Sequence, residues 1–171
     1  MRYVLLLGFL SILTTRVIGQ DIPRGTALMV EVGQGFNRPR GGPERYLATA
    51  QFVPQWTLVP GRLRVGVPVG AFHPGYQLGG LAGSRLTLKV FQGPPVLLAS
   101  SFHLHILAEY LPLVYTPTEH WRQLVGAGVG LETSNLLGIV LKLHRDVRTP
   151  TIYGQLALTY NLFYKSPPQT L

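Results

Sequence analysis

Apolar and other residues alternate along much of this chain, and this period of two constrains its fold more than any other feature. In the stretch 62–72, the residues on one side are Leu63, Val65, Val67, Val69 and Ala71. Successive side chains of a β-strand point to opposite faces, so the pattern predicts strands with one apolar face. It predicts eight of them, at 26–36, 46–59, 62–72, 85–91, 102–110, 121–132, 136–144 and 155–164.

Composition supports a folded, membrane-embedded chain. Hydrophobic residues make up 46% of it and charged residues 13%, against about 25% charged in a typical soluble domain. No stretch after the N-terminal region approaches the 18 consecutive apolar residues of a membrane-spanning helix. Eight is the smallest even number of strands that closes a membrane barrel. We therefore predict an all-β fold: an eight-stranded antiparallel up-and-down transmembrane β-barrel.

The first residues have the organisation of a secretory signal. Arg2 precedes an apolar run from Val4 to Leu13, and Val17 and Gly19 put small residues before a cleavage point at Gln20. We predict that 1–19 is a cleaved signal peptide. The rest, 20–171, is predicted to be one barrel domain, with its strands within 26–164 and a short periplasmic tail at 165–171.

The connections between the predicted strands alternate in length. Long ones are expected at 37–45, 73–84 and 111–120, short ones at 60–61, 92–95 and 133–135, and one of intermediate length at 146–150. Outer-membrane barrels have short periplasmic turns and longer outer loops. This order predicts that both termini are periplasmic and that the three long loops contact other envelope proteins.

The signal peptide, the eight alternating strands and the loop order resemble the small OmpA/OmpX-type outer-membrane barrels. The last strand, 153–164, is similar to the aromatic-rich final strand that barrel-assembly machinery reads in that class. The tail at 165–171 departs from the class, whose final strand usually ends the chain, and is similar to barrels of the Bacteroidetes group. The resemblance implies an integral protein of the Gram-negative bacterial outer membrane.

An eight-stranded barrel is just wide enough for side chains to fill it. The strand faces opposite the lipid are therefore predicted to form a polar network that fills the lumen. No wide, porin-like channel is expected. Its members are Glu31, Arg64, Arg85, Lys89, His103, His105, Glu109, Glu132, Lys142 and His144. Both signs are present, as pairing of buried charges requires. Gly126, Gly128 and Gly130 would leave room for the longer side chains.

Aromatic residues near the strand ends predict belts at the two membrane interfaces. The outer belt would contain Tyr46, Tyr110, Trp121 and Tyr153, and the inner belt Trp56, Tyr160 and Tyr164.

Catalysis is a second hypothesis, because some eight-stranded outer-membrane barrels modify lipid A with Ser and His. Ser101, His103, His105 and Glu109 share one face of a strand, but that face is predicted to point into the lumen. His103 and His105 would also need a third ligand, such as His144 or Glu109, to bind a metal. We predict no catalytic residues, no metal site and no cofactor.

The chain has a formal net charge of +8, yet its arginines form no basic run, so nucleic acid is not an expected partner. Arg38, Arg40 and Arg45 share the first predicted outer loop, where they would meet the phosphates of lipopolysaccharide. The leading hypothesis is a barrel with a structural or surface-interaction role among outer-membrane lipids. The alternatives are a lipid A acyltransferase or deacylase, and a secreted soluble barrel that binds a small apolar ligand.

Overall fold

The computed structural model describes residues 26–75, 77–93, 102–116, 120–133 and 137–165. The predicted signal peptide and residues 166–171 of the predicted tail lie outside the described residues. Within them, the secondary structure consists of β-strands, and there is no helix long and apolar enough to cross a membrane.

Nine strands follow one another in the described ranges. They are β1 (Thr26–Pro39), β2 (Arg45–Val59), β3 (Leu63–Gly66), β4 (Val69–His73), β5 (Gly79–Gln92), β6 (Phe102–Thr116), β7 (His120–Thr133), β8 (Leu137–Asp146) and β9 (Thr151–Lys165).

The strands form a single antiparallel sheet that closes into a ring. From β5 to β9, each strand pairs with the next along the chain, and β1 pairs with both β2 and β9. The short strands β3 and β4 lie end to end between β2 and β5, and both pair with both neighbours. The predicted all-β antiparallel fold is confirmed.

The count differs from eight because the predicted strand at 62–72 is divided in two. The division falls at Val67 and Pro68, and proline has no N–H to donate to a sheet ladder. Two backbone bonds hold the break to its neighbours. The Val67 N–H donates to the Pro54 carbonyl at 3.0 Å, and the Gly83 N–H donates to the Pro68 carbonyl at 3.0 Å.

The predicted apolar alternation corresponds to an outward and an inward face of the ring. In β8, exposed and buried residues alternate without interruption from Leu137 to Asp146. The outward side chains of Leu141 and Leu158 are 62% and 65% exposed, whereas the inward Lys142 is 2% exposed. A closed ring has no free edge strand. Its outer surface consists of the apolar faces of the strands.

The predicted lengths of the long loops are wrong. At the end opposite the termini (the distal end), the strands are joined by 40–44, 74–78, 117–119 and 147–150. At the end where β1 begins and β9 ends (the terminal end), the connections are 60–62, 93–101 and 134–136. The segments predicted as long loops therefore reduce to connections of at most five residues.

The reason is that the strands extend into the segments predicted as long loops, 37–45, 73–84 and 111–120. β1 continues to Pro39, β5 begins at Gly79, and β6 runs to Thr116. In β6, Leu113 and Tyr115 continue the exposed apolar face beyond Tyr110, after an irregularity in pairing between Leu111 and Val114. The bulge absorbs Pro112, which a regular strand would exclude.

The interior of the ring is apolar at its distal end. Seven buried side chains form one cluster there, which we call the distal plug: Leu47, Phe72, Leu81, Leu111, Val114, Leu124 and Tyr153. The rings of Phe72 and Tyr153 pack with their centroids 5.8 Å apart. The prediction of a polar lumen therefore omitted this apolar section.

Candidate functional site

The ten residues of the predicted lumen network all belong to the inward face. Nine of them are buried, and Glu132 is half-buried toward the terminal end. The period of two thus brings together side chains from six strands, β1, β3 and β5 to β8. Contacts divide the network into a central cluster and a terminal cluster.

Glu31 lies at the middle of the central cluster and is fully buried. Its Oε2 accepts a bond from the Arg85 guanidinium at 2.7 Å. Its Oε1 accepts bonds from the Lys142 ammonium group and the Gln51 amide. Three donors from three different strands therefore satisfy one carboxylate, which is the condition for burying it.

Glu109 is the second carboxylate of the central cluster. It accepts bonds from Arg85 and, at 2.6 Å, from His144 Nε2, and the Lys142 ammonium group lies 3.5 Å away. Arg85 and Lys142 each contact both carboxylates. The cluster is thus internally neutralised, with His144 as a further donor to Glu109.

The terminal cluster lies below the central one, toward the terminal end. Arg64 Nη1 lies 3.3 Å from Glu132 Oε2, and the Asn161 amide donates to Glu132 Oε1 at 2.7 Å. His103 stands opposite Glu132 in the β6–β7 register. Its Nδ1 has no hydrogen-bond partner among the described residues. Lys89 donates to Gln92 at 2.6 Å.

The glycines of β7 make room for this network, as predicted. A Cβ on Gly126 would run into the His144 ring, and one on Gly130 would run into the His105 ring. A Cβ on Gly128 would lie 3.0 Å from the Lys142 side chain. Three bulky side chains thus lie over three glycines of one strand, and this close approach requires the absence of a side chain.

Sequence reasoning missed the uncharged members of the interior. The Gln155 amide donates to the Thr49 hydroxyl, and Gln51 bonds to Glu31. These residues stand on the same alternating face as the charged ones, and that position is the signal that could have identified them.

A further missed group closes the interior at the distal end. Arg122 donates to the Tyr153 hydroxyl and lies 3.6 Å from Asp146 Oδ2. Asp146 also accepts bonds from the N–H groups of Arg148 and Thr149, at 2.8 and 3.3 Å, which fixes the β8–β9 connection. Such a turn, in which an aspartate accepts bonds from following N–H groups, is characteristic of this residue.

The aromatic prediction needs one correction. The outward side chains of Tyr46, Trp56, Tyr110, Trp121 and Tyr160 are 43–56% exposed. The placement of Tyr153 in the outer belt is wrong, since it is 1% exposed and belongs to the distal plug. Its parity with the inward Gln155 puts it on the interior face. The side chain of Tyr164 lies outside the described ones.

The described residues of the catalytic hypothesis lie inside the ring and not at its outer edge. His103, His105 and Glu109 point into the interior, and Glu109 is bonded to Arg85 and His144 instead. Ser101 lies outside the described residues. In the part of the chain that the structure describes, no three His, Asp or Glu side chains are grouped to hold a metal ion.

The distal end is basic. The exposed arginines there include the predicted Arg38, Arg40 and Arg45, and the structure adds Arg145 and Arg148 from the neighbouring β8–β9 hairpin. Arg38 Nη1 lies 3.5 Å from Glu44 Oε1, with both side chains largely exposed. We call this set of five arginines the distal rim.

Comparison with protein families, curated proteins and solved structures finds no match to this chain.

Proposed function

We propose that this chain is an integral β-barrel of the bacterial outer membrane, closed to any wide pore, with a structural or surface-interaction role. If β3 and β4 are counted as one interrupted strand, the ring has eight strands. The observation that carries the proposal is the distribution of charge on the outer surface. The charged side chains that the structure describes lie inside the ring or near one of its two ends.

An outward band free of charge is what a bilayer requires of a barrel. Large apolar residues are exposed all around the ring, among them Val32, Phe52, Leu86, Val129 and Leu141, each at least 43% exposed. Six of the strands have 14 or 15 residues, whereas about 9–11 tilted residues span the hydrocarbon. The barrel would therefore extend beyond the hydrocarbon into the interfacial regions.

The filled interior argues against a porin-like channel. The distal plug lies across one end, and the central cluster lies next to it. The void between them has a volume of only about 10 Å³, roughly that of one water-sized probe. A role in passage of large solutes is therefore not supported, and the exposed surfaces are the parts available for interaction.

The distal rim supports an orientation with the distal end outward and both termini in the periplasm. Arginine pairs favourably with phosphate, and the lipopolysaccharide expected around such a barrel carries phosphates on its outer side. The orientation rests on this charge, since the loop lengths do not support it.

The two alternatives have less support. A soluble barrel for an apolar ligand would need its charged face outside and its apolar face inside, which is the reverse of the observed exposure. A lipid A-modifying enzyme would need its Ser and His at the outer membrane edge, whereas His103 and His105 are buried inside.

Gel mobility tests the proposal. A closed membrane barrel needs detergent for solubility and migrates faster unboiled than boiled. A chain that is soluble without detergent and shows no mobility shift would contradict the proposal. The ion conductance of planar bilayers that contain the protein tests the closed interior separately. A wide channel would conduct, whereas a filled barrel would not.

A further inference from the structure

Two exposed arginines stand in one row across three neighbouring strands at the distal end. Arg145 of β8 and Arg38 of β1 are both register partners of Ile152 of β9, which lies between them. Neighbouring strands lie about 4.8 Å apart, so the backbones of the two arginines are separated by about 10 Å. All three side chains are on the outward face.

The next outward row toward the middle of the barrel contains a glycine. Gly154 is the register partner of Leu143 on one side and Phe36 on the other. A Cβ on Gly154 would lie 2.6 Å from the Phe36 ring, so the ring lies over the space that a side chain would fill. The outer surface directly below the arginine row is therefore apolar, with the Phe36 ring covering Gly154.

This glycine belongs to an open apolar depression of about 970 Å³. Its floor includes Ala108 and Ala127, which are register partners on β6 and β7. Leu143 stands in the same row between Gly154 and Ala127, as the register partner of both. Leu141 and Leu156 line the depression as well. Small residues surrounded by leucines leave a hydrocarbon-lined space on the surface that faces lipid in the proposed function.

We propose that this surface is a binding site for an anionic membrane lipid. Arg38 and Arg145 bind its phosphate, and one of its acyl chains lies over Ala127 and Ala108 in the depression. The inference rests on the proposed function, since it requires the outer face to be in contact with a bilayer.

The arginine row and the depression together match a phosphate-bearing lipid better than either a free phosphate or an uncharged lipid. Guanidinium groups bind phosphate oxygens through paired charge-assisted bonds. A free phosphate would leave the depression unused, and an uncharged lipid would leave the arginine row unused. The exposed pair of Arg38 with Glu44 does not prevent binding, because such surface pairs are worth about 0–1 kcal/mol.

The test uses the refolded chain in phosphatidylcholine nanodiscs that contain a small fraction of phosphatidylglycerol. Native mass spectrometry measures the phosphatidylglycerol that the protein retains when it is released into detergent. The R38Q/R145Q variant removes the row, and R40Q/R148Q is the matched control, since it removes the same charge from the same rim. A127L places a larger side chain on the floor of the depression and leaves all charges in place.

We expect R38Q/R145Q to weaken retention about thirtyfold, from about 1 kcal/mol for each arginine near a membrane surface. R40Q/R148Q should stay near the original chain, and A127L should also weaken retention. Equal losses in the two double variants would show that rim charge alone acts, which overturns the site. Full displacement by free glycerol phosphate, with A127L unaffected, would overturn the role of the acyl chain.

Failure of this inference is distinguishable from failure of the proposed function. A chain that enters nanodiscs and shows the mobility shift, but retains no phosphatidylglycerol, contradicts only the lipid site. A chain that never enters nanodiscs contradicts the membrane barrel itself.

Discussion

The ammonium group of Lys142 contacts the carboxylate of Glu31 at the centre of the interior, although 111 positions separate the two residues along the chain. The contact exists because β1 closes the ring against β9, whose other neighbour is β8. Closure of the ring thus brings these two charged groups together.

Removing the charge of Glu31 should strongly destabilise the fold. In E31Q, Arg85 and Lys142 lose one of their two carboxylate partners while remaining buried. Breaking a buried ion pair from one side costs about 3–5 kcal/mol. Urea unfolding in lipid vesicles measures the loss. The control is E44Q, whose exposed pair with Arg38 should contribute at most about 1 kcal/mol. Equal losses would contradict the importance of the central cluster.

A methyl group on β7 should disturb the histidine above it. G130A places a Cβ against the buried His105 ring, and such overpacking costs about 1–3 kcal/mol. G80A is the matched control, because the nearest atom to its added Cβ is 3.9 Å away. Thermal unfolding compares the two variants. If H105A does not recover the stability lost in G130A, the clash is not the cause.

Two phenylalanines of neighbouring strands should differ in what their truncation costs. F72A opens a cavity in the distal plug, where Phe72 is 3% exposed, and should cost about 3–5 kcal/mol. F52A removes an outward ring that is 56% exposed. In the proposed membrane barrel, lipid would fill the place of that ring, so the loss should be much smaller. Vesicle-bound unfolding gives both values, and a larger loss in F52A would contradict the assignment of inside and outside.

A charge on the outer face should be costly only at membrane depth. L141R places arginine at the middle of β8 and should lose about 2–4 kcal/mol in a bilayer, whereas L137R, at the end of the same strand, should lose about 0–1 kcal/mol. Both leucines are about equally exposed, at 62% and 58%. Equal, small losses in both variants would indicate that water and not lipid surrounds this surface.

The faces of the strands could be predicted from the sequence, and the contacts between strands could not. The alternation of side chains along each strand places Glu31, Glu109 and Lys142 on the inward face, because this alternation is a local property of a strand. Which donor meets which carboxylate depends on the register between strands that are distant in the chain. The same limit left the metal hypothesis for His103 and His105 without a third ligand.

The distal plug was missed for a different reason. Leu47, Leu111 and Leu124 are apolar residues on the inward face, where the sequence analysis expected polar ones. Apolar residues on both faces hide the alternation, so the distal parts of β5 and β6 resembled loops. Tyr153 was misassigned because its position near a strand end was given more weight than its spacing of two from Gln155, which places both side chains on the same face.

The distal plug also determines from which side the interior meets water. The side chains of Arg64 and Glu132 retain 10% and 13% exposure, while those of Glu31 and Glu109 retain none. Accessibility thus increases toward the terminal end, and seven apolar side chains seal the opposite end. The charged interior is therefore closed by apolar side chains on the distal side. In the proposed membrane barrel, protons would reach it from the terminal side, and acidity on the distal side would leave it unchanged.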